Sequence, residues 1–463
     1  MWHARNLISW SVLFGLFSTF VLAADVPATL PRYSLPVGRR LNYSSESHFT
    51  YDNGSFDSLA SLQITVVAKN SDGSLRIIVR NGEREVQNRA GQPATQPANE
   101  TEDVNYTQFD IMPDGRVISA EGGFHPEAPG LLSPLPADQN EMRAQWKREP
   151  TIPGDTDVFI SEGATDGIWT FTSTSEGLFK TIYGMTTRFT YHFDLAKGII
   201  NSVDSQNGQD YGFHGKGSGT SRLQGDEMIP ADQIAQLAKD VATLISTTTD
   251  FNKKIDGIDA STSDVKPIVD QAKAILLAAQ ANVATTDIKN QFDQTIASID
   301  RRAKYAMENA QHMAAVTNHP AFDFIATDLG GKSHKLSDYR GKVVVLDFWY
   351  RGCGWCIRAM PQMKQVAEDF HNKPVVLLGL NTDSNIDDAK FVVDAMGLNY
   401  ATLRIDHDVP DKFGVHAFPS LLIIDIGGVV REFDEGYSPT LRKDLGAKIQ
   451  SILDGGVAAA QAR

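Results

Sequence analysis

The sequence predicts a multidomain protein with an all-β N-terminal domain, an α-helical spacer and a C-terminal α/β domain. Short apolar runs separated by turn residues fill the first half of the chain. Near residue 227 the apolar residues begin to recur at intervals of three and four, as in helices. From residue 320 strand-like and helix-like segments alternate. At 463 residues the chain also exceeds the size of a single typical core.

The β-rich domain is expected over residues 25–226. Residues 70–73 (Asn-Ser-Asp-Gly) and 113–115 (Pro-Asp-Gly) each separate two apolar runs, as turns do in β-hairpins. A series of such strands predicts a β-sandwich or an open barrel. The domain's histidines lack the spacing of metal ligands, and we expect neither a metal site nor a catalytic cluster there.

The helical spacer is expected over residues 227–317. Three stretches carry an apolar stripe at helical spacing, and the first consists of Ile234, Leu237, Val241 and Leu244. Such stripes predict about three helices packed as an antiparallel hairpin or small bundle. A spacer between domains and a surface for self-association are the two functions that this pattern suggests.

The first 24 residues have the pattern of a signal peptide. Arg5 is the only charged residue before Asp25, residues 7–22 are mostly apolar, and residues 21–23 (Val-Leu-Ala) offer a cleavage site. The pattern predicts export to the periplasm or cell envelope of a bacterium. The alternative is an uncleaved anchor, in which residues 7–24 tether the protein to a membrane.

The net charge of −14 argues against a nucleic-acid partner, because phosphate binding requires a basic surface. The chain has two cysteines, Cys353 and Cys356, directly after the apolar run 343–348. Two sulfurs at this spacing in a strand-to-helix turn are typical of a redox-active dithiol. An inert disulfide would close too small a loop to stabilise the fold much, and a zinc site would need two more ligands.

Motifs in the last third of the chain surround this cysteine pair. They are Ala321-Phe322-Asp323-Phe324, Asp347-Phe348-Trp349, Cys353-Gly354-Trp355-Cys356, Met360-Pro361 and Gly414-Val415-His416-Ala417-Phe418-Pro419-Ser420. Together they resemble the TlpA/ResA group of thioredoxin-fold proteins. The resemblance implies a thioredoxin-like redox domain at residues 318–455, followed by a flexible tail at 456–463. It also implies thiol–disulfide oxidoreductase activity without a bound cofactor, protein thiol or disulfide substrates, and an external redox partner.

The resemblance assigns the catalytic roles. Cys353 is expected at a helix N-terminus, where free N–H groups and the helix dipole stabilise a thiolate. Cys356, one turn further along the same helix face, would resolve the mixed disulfide. Pro419 matches the family's cis-proline, which faces the disulfide and pairs with the substrate chain; an ordinary trans turn is the alternative. Phe418 precedes it and is expected to contact substrate.

The chain departs from the family at several positions. Asp347 lies where many relatives have asparagine, whereas Ala359 stands where they often have glutamate. A buried Asp347 would have a raised pKa and could transfer the proton of Cys356; a solvated carboxylate is the alternative. The pair Gly354-Trp355 replaces the proline-containing pairs of relatives. We expect both residues to contact substrate, although Trp355 could simply pack.

The sequence therefore predicts an exported thiol–disulfide oxidoreductase. The alternative is an envelope binding or structural protein whose CxxC domain only senses the redox state. Peroxidase chemistry is a third possibility, because residues 324–342 also resemble the opening of peroxidatic relatives. In those proteins, however, the residues around the reactive cysteine differ from the ones found here.

Overall fold

The computed structural model describes residues 27–52, 54–89, 103–121, 130–148, 155–211, 214–259 and 262–461. The segment 1–24, interpreted from its sequence as a signal peptide or anchor, lies outside these residues. None of the helices within the described ranges is long and apolar enough to cross a membrane.

The N-terminal domain is built on one antiparallel sheet of eleven strands in the order β5-β4-β3-β2-β1-β11-β10-β9-β8-β7-β6. The strands are β1 (Arg39–Tyr51), β2 (Gly54–Lys69), β3 (Leu75–Arg89), β4 (Asp103–Ile111), β5 (Val117–Glu121), β6 (Gln145–Arg148), β7 (Asp155–Thr165), β8 (Ile168–Gly177), β9 (Thr186–Asp194), β10 (Ile199–Gln209) and β11 (Gly215–Met228). All strands belong to one hydrogen-bonded sheet, so the domain is not a two-sheet sandwich. Two short helices, α1 (Gln139–Arg143) and α2 (Leu178–Tyr183), lie between strands.

Alternation along the strands gives this sheet two buried faces. Val66 and Ile77 point into a large core that contains several aromatic side chains, including Trp169. Val67 and Ile78, their neighbours in sequence, point to the opposite face because successive strand residues alternate. The second face is therefore free to bind another layer of structure.

Three helices cover that second face at strands β2 to β4. They are α3 (Ala231–Asp256), α4 (Lys266–Gln280) and α5 (Thr286–Val316), and their apolar stripes form one core with Val67 and Ile78. Asp240 of α3 is fully buried and accepts hydrogen bonds from the backbone N–H groups of Ala284 and Thr285 at 3.0 and 2.8 Å. These bonds satisfy free donors at the start of α5.

The C-terminal domain has a mixed seven-stranded sheet in the order β13-β12-β16-β15-β14-β17-β18. Its elements are β12 (Ile325–Asp328), β13 (Ser333–Lys335), β14 (Val343–Trp349), α6 (Gly354–Asp369), β15 (Val375–Asn381), α7 (Ile386–Met396), β16 (Ala401–Arg404), α8 (Asp408–Lys412), β17 (Ser420–Ile424), β18 (Val430–Glu435) and α9 (Leu441–Gln461). The central strand β14 is buried on both faces and leads directly to the cysteine pair.

The end of helix α5 contacts the C-terminal domain. Met313 and Val316, near the end of α5, pack against the core on one face of its sheet. The last helix, α9, extends to Gln461, and the flexible tail expected at residues 456–463 stays a prediction.

Candidate active site

Cys353 and Cys356 form a disulfide at the start of α6, with 5.2 Å between their Cα atoms. Cys353 is the N-cap residue of this helix. The backbone N–H of Cys356 donates a hydrogen bond to the Cys353 sulfur across 3.1 Å. This N–H is one of the donors that a helix leaves free in its first turn. In the reduced protein it is positioned to stabilise a thiolate on Cys353.

Arg351 lies two residues before Cys353, and several contacts fix it. Its backbone N–H donates to the carboxylate of Asp383, and its guanidinium pairs with Asp388 across 2.9 Å. The same guanidinium donates two hydrogen bonds to the carbonyl oxygen of Ile182, in the β domain. Asp388 therefore neutralises part of the positive charge of Arg351. The Arg351 side chain also connects the redox domain to the β domain through its hydrogen bonds to Ile182.

Asp347 is buried in β14, with 3% of its surface exposed. Burial raises the pKa of this carboxyl to about 7, although a hydrogen bond from Tyr400 across 3.0 Å acts in the opposite direction. Strand alternation places Asp347 on the same face as Val345 and Trp349. Val345 shares a buried cluster with Ala359 of α6, and Trp349 shares one with Cys356. Asp347 thus lies beneath α6, so the alternative of a solvated carboxylate is wrong.

Phe418 and Pro419 directly precede β17, the strand that pairs with β14. The peptide bond between them is cis, which excludes the alternative of a trans turn. Phe418 packs against the buried cluster that contains both cysteines, and its ring contacts that of Tyr350 edge-on, at 5.2 Å between centroids. Pro419 leads into β17, the strand next to β14. Their roles in binding substrate stay predictions.

Gly354 and Trp355, the residues between the cysteines, have different surroundings. A Cβ atom on Gly354 would lie 3.7 Å from the ring of Phe179, so the β domain approaches the helix closely here. Trp355 is 52% exposed and stacks on Tyr437 at 5.5 Å between ring centroids. It packs against Tyr437 and does not join the buried cluster around the cysteines.

Sequence reasoning missed the part of the β domain that covers the disulfide. Ile182 and Tyr183 of α2 belong to the same buried cluster as both cysteines. Tyr211, which follows β10, stacks on the Arg351 guanidinium at 3.8 Å. The apolar spacing in α2 was a detectable sign of a short helix. No local pattern, however, identifies a contact between residues some 170 positions apart. The Tyr400 partner of Asp347 likewise carries no local signal.

A thioredoxin-like α/β domain with a disulfide at the start of its first long helix defines a thiol–disulfide oxidoreductase. Residues 317–433 match the AhpC/TSA family. The thiol-disulfide oxidoreductase ResA of Geobacillus thermodenitrificans is 30% identical over 149 residues, which are 32% of this chain and 84% of that protein. ResA of Geobacillus kaustophilus is 31% identical over 140 residues, 30% of this chain and 79% of that protein.

One similar solved structure is a thiol:disulfide interchange protein of the thioredoxin family from Chlorobium tepidum. It is 20% identical, with a TM-score of 0.28, and the match covers 29% of this chain and 97% of that one. By its similarity to the two ResA proteins, the chain belongs to the ResA family of thiol–disulfide oxidoreductases through its C-terminal third.

Proposed function

We propose that the protein is an exported oxidoreductase that exchanges electrons with protein thiols and disulfides through Cys353 and Cys356. The disulfide at the N-terminus of α6 is the observation that carries this proposal. The similarity to ResA proteins supports it. The signal-like pattern of residues 1–24 supports a location in the periplasm or cell envelope of a bacterium. The reaction requires no bound cofactor, because the two sulfurs carry both electrons.

In the reductive direction the Cys353 thiolate attacks one sulfur of a substrate disulfide. A new bond joins Cys353 to that sulfur, and the other substrate sulfur leaves as a thiolate. The Cys356 thiolate then attacks the Cys353 sulfur, which closes the Cys353–Cys356 disulfide and releases the second substrate thiolate. The substrate gains two electrons and the enzyme loses two. An external dithiol returns the enzyme to its reduced form by the reverse exchange.

Asp347 is proposed to accept the proton that Cys356 loses when it becomes a nucleophile. A pKa of about 7 suits this role, because the group is then present in both protonation states near neutral pH. Its position beneath α6, on the face that packs against the helix, supports the proposal. Phe418 and Pro419 are proposed to contact the substrate chain next to the disulfide, and Gly354 and Trp355 to border that contact.

The test has two measurements on the full-length protein. Equilibration with glutathione buffers gives the redox potential of the cysteine pair, and an insulin-reduction assay gives catalysis. The double variant Cys353→Ser, Cys356→Ser is the control. A measurable potential without catalysis would favour the alternative of an envelope protein that only senses redox state. Fusing residues 1–30 to a reporter that is active only outside the cytoplasm tests export, and an inactive fusion would contradict it.

A further inference from the structure

Both redox cysteines are almost fully buried in this structure. Cys353 is 6% exposed and Cys356 is 2% exposed. Disulfide exchange requires a third sulfur to reach one of them, so access determines the rate. Ile182 and Tyr183 of the β domain help to form the cover. Ile182 is fully buried, and both share the cluster with the cysteines.

A polar contact holds this cover in place. Helix α2 ends at Gly184, whose φ of 62° is left-handed, and the last carbonyls of a helix lack partners within it. The Ile182 carbonyl oxygen accepts hydrogen bonds from Arg351, at 2.7 Å from Nη2 and 3.2 Å from Nε. A cation at a helix C-terminus is also favoured by the helix dipole. The ring of Tyr211 covers the same guanidinium at 3.8 Å.

An aromatic contact lies at the other end of α2. The Phe179 ring lies over the helix start at Gly354, and the Arg358 guanidinium lies 4.9 Å from the centre of that ring. Arg358 also lies over Trp355, at 4.5 Å. Phe179 and Tyr183, four residues apart, contact each other with 5.4 Å between ring centroids. Helix α2 therefore presents an aromatic pair and the carbonyl oxygen of Ile182 to the residues that border the disulfide.

We propose that α2 is an intramolecular pseudosubstrate, and that this site accepts polypeptide segments with an aromatic side chain and an exposed backbone carbonyl. The inference rests on the proposed function, since it identifies the substrate-binding surface of that function. Helix α2 contains no cysteine, so it occupies the surface without reacting. A protein substrate must displace it before its own disulfide reaches Cys353.

Accessibility of the thiols in the reduced full-length protein tests the cover without requiring catalysis. The rates of reaction with N-ethylmaleimide and with a maleimide on a 5-kDa polyethylene glycol are compared. Phe179→Lys removes the aromatic contact and places a cation beside Arg358. We expect it to raise the rate with the bulky reagent about tenfold, the effect of losing one anchor of an interface. Lys180→Ala, on the same helix but with an exposed side chain, is the matched control and should react like wild type.

Equal rates with the bulky reagent for wild type and Phe179→Lys would overturn the inference. Circular dichroism checks the fold, and Phe179→Ala replaces Phe179→Lys if the lysine variant does not fold. In a second assay, Phe179→Lys should reduce insulin about tenfold faster than wild type, with a smaller change on hydroxyethyl disulfide. An equal gain on both disulfides would show that α2 does not act by excluding polypeptides. Absence of turnover with every variant would overturn the proposed function, whereas the labelling rates would still decide whether α2 is a cover.

Discussion

The hydroxyl of Tyr400 donates a hydrogen bond to Oδ2 of Asp347 across 3.0 Å, and both side chains are buried. Burial favours the neutral carboxyl, whereas this hydrogen bond favours the carboxylate. The pKa of Asp347 is raised to about 7. Burial and the neighbouring Asp347 also raise the pKa of Tyr400 well above its usual range, so the phenol remains a donor. The pair therefore provides an acid that titrates in the neutral range.

Replacing Asp347 with Asn should slow turnover and remove the inflection near pH 7 from the pH–rate profile. The expected loss of rate is about a hundredfold, the lower end of what general acid–base catalysis contributes. Insulin reduction measured between pH 5 and 9 checks this. Tyr400→Phe is the matched control, because it keeps the carboxyl and removes the bond that lowers its pKa. Its inflection should move to higher pH. An inflection that persists in Asp347→Asn would exclude Asp347 from proton transfer.

The raised pKa of Asp347 makes the free energy of unfolding depend on pH. The folded pKa of Asp347 is about 7 and the ordinary value is 3.8, so the folded state binds more protons between these values. The resulting stability is present in full below pH 4 and is lost as pH rises through 7. Three pKa units correspond to about 4 kcal/mol.

Asp347→Asn should therefore gain stability relative to wild type as pH rises from 4 to 8. Urea unfolding of both proteins at pH 4, 6 and 8 measures the difference. A constant difference across this range would mean that Asp347 does not titrate with a raised pKa in the folded protein.

Cys353 is expected to be the more reactive thiol of the reduced protein. As N-cap residue it lies near free N–H groups, whereas Cys356 lies within the helix. Iodoacetamide at pH 7 should alkylate Cys353 first, by at least about tenfold, as judged by mass spectrometry of digested protein. In addition, Cys356→Ser should accumulate mixed disulfides and Cys353→Ser should not. Faster alkylation of Cys356 would reverse the assignment.

The redox domain is expected to work without the rest of the chain. The ResA proteins match this third of the chain over 79% to 84% of their own length. A fragment of residues 318–463 should therefore reduce hydroxyethyl disulfide at least as fast as the full-length protein. On insulin it should be faster, since it lacks α2. An inactive but folded fragment would show that the domains form one catalytic unit.

Asp240 is expected to stabilise the helical layer. Its carboxylate accepts two backbone N–H bonds at the start of α5 and a third bond from the Thr285 hydroxyl at 2.8 Å. Asp240→Ala removes this cap and should cost about 2 kcal/mol. Faster hydrogen exchange of the Ala284 and Thr285 amides reports the loss locally. Asp240→Asn, which keeps an acceptor oxygen, should lose less; equal losses would indicate that the packing of Asp240 matters more than its bonds.

Local patterns were sufficient to predict the class of each part of the chain. Strand alternation and helical stripes depend on residues within one element, and residues such as Val66 and Leu237 show them clearly. The position of the cysteines between a buried strand and a helix was similarly local. The choice between a sandwich and an open barrel could not be made from local patterns, because it depends on which distant strands pair, such as β1 with β11.

The site residues that the sequence did not reveal also depend on contacts between residues far apart in the chain. The distance of Asp347 from Cys353 in sequence made it a candidate, but its partner Tyr400 comes from the residue just before β16. Ile182 and Arg351 belong to different domains, and their contact depends on how these domains pack. Burial of Cys353 by the β domain was therefore not predictable from its sequence neighbourhood.

Because α2 and the redox domain belong to one chain, α2 is present at the redox site at an effective concentration that does not depend on the protein concentration. A ligand tethered to its receptor acts at an effective concentration that the connection sets, in the millimolar range for a short flexible linker, whatever the amount of protein in solution. A free polypeptide must outcompete this local concentration to reach Cys353. Proteins present at micromolar levels therefore need an affinity for the site well above that of α2, and weakly binding bystanders are left unreacted. Selectivity of this kind would follow from the covalent tether together with the affinity of each polypeptide for the surface that α2 occupies.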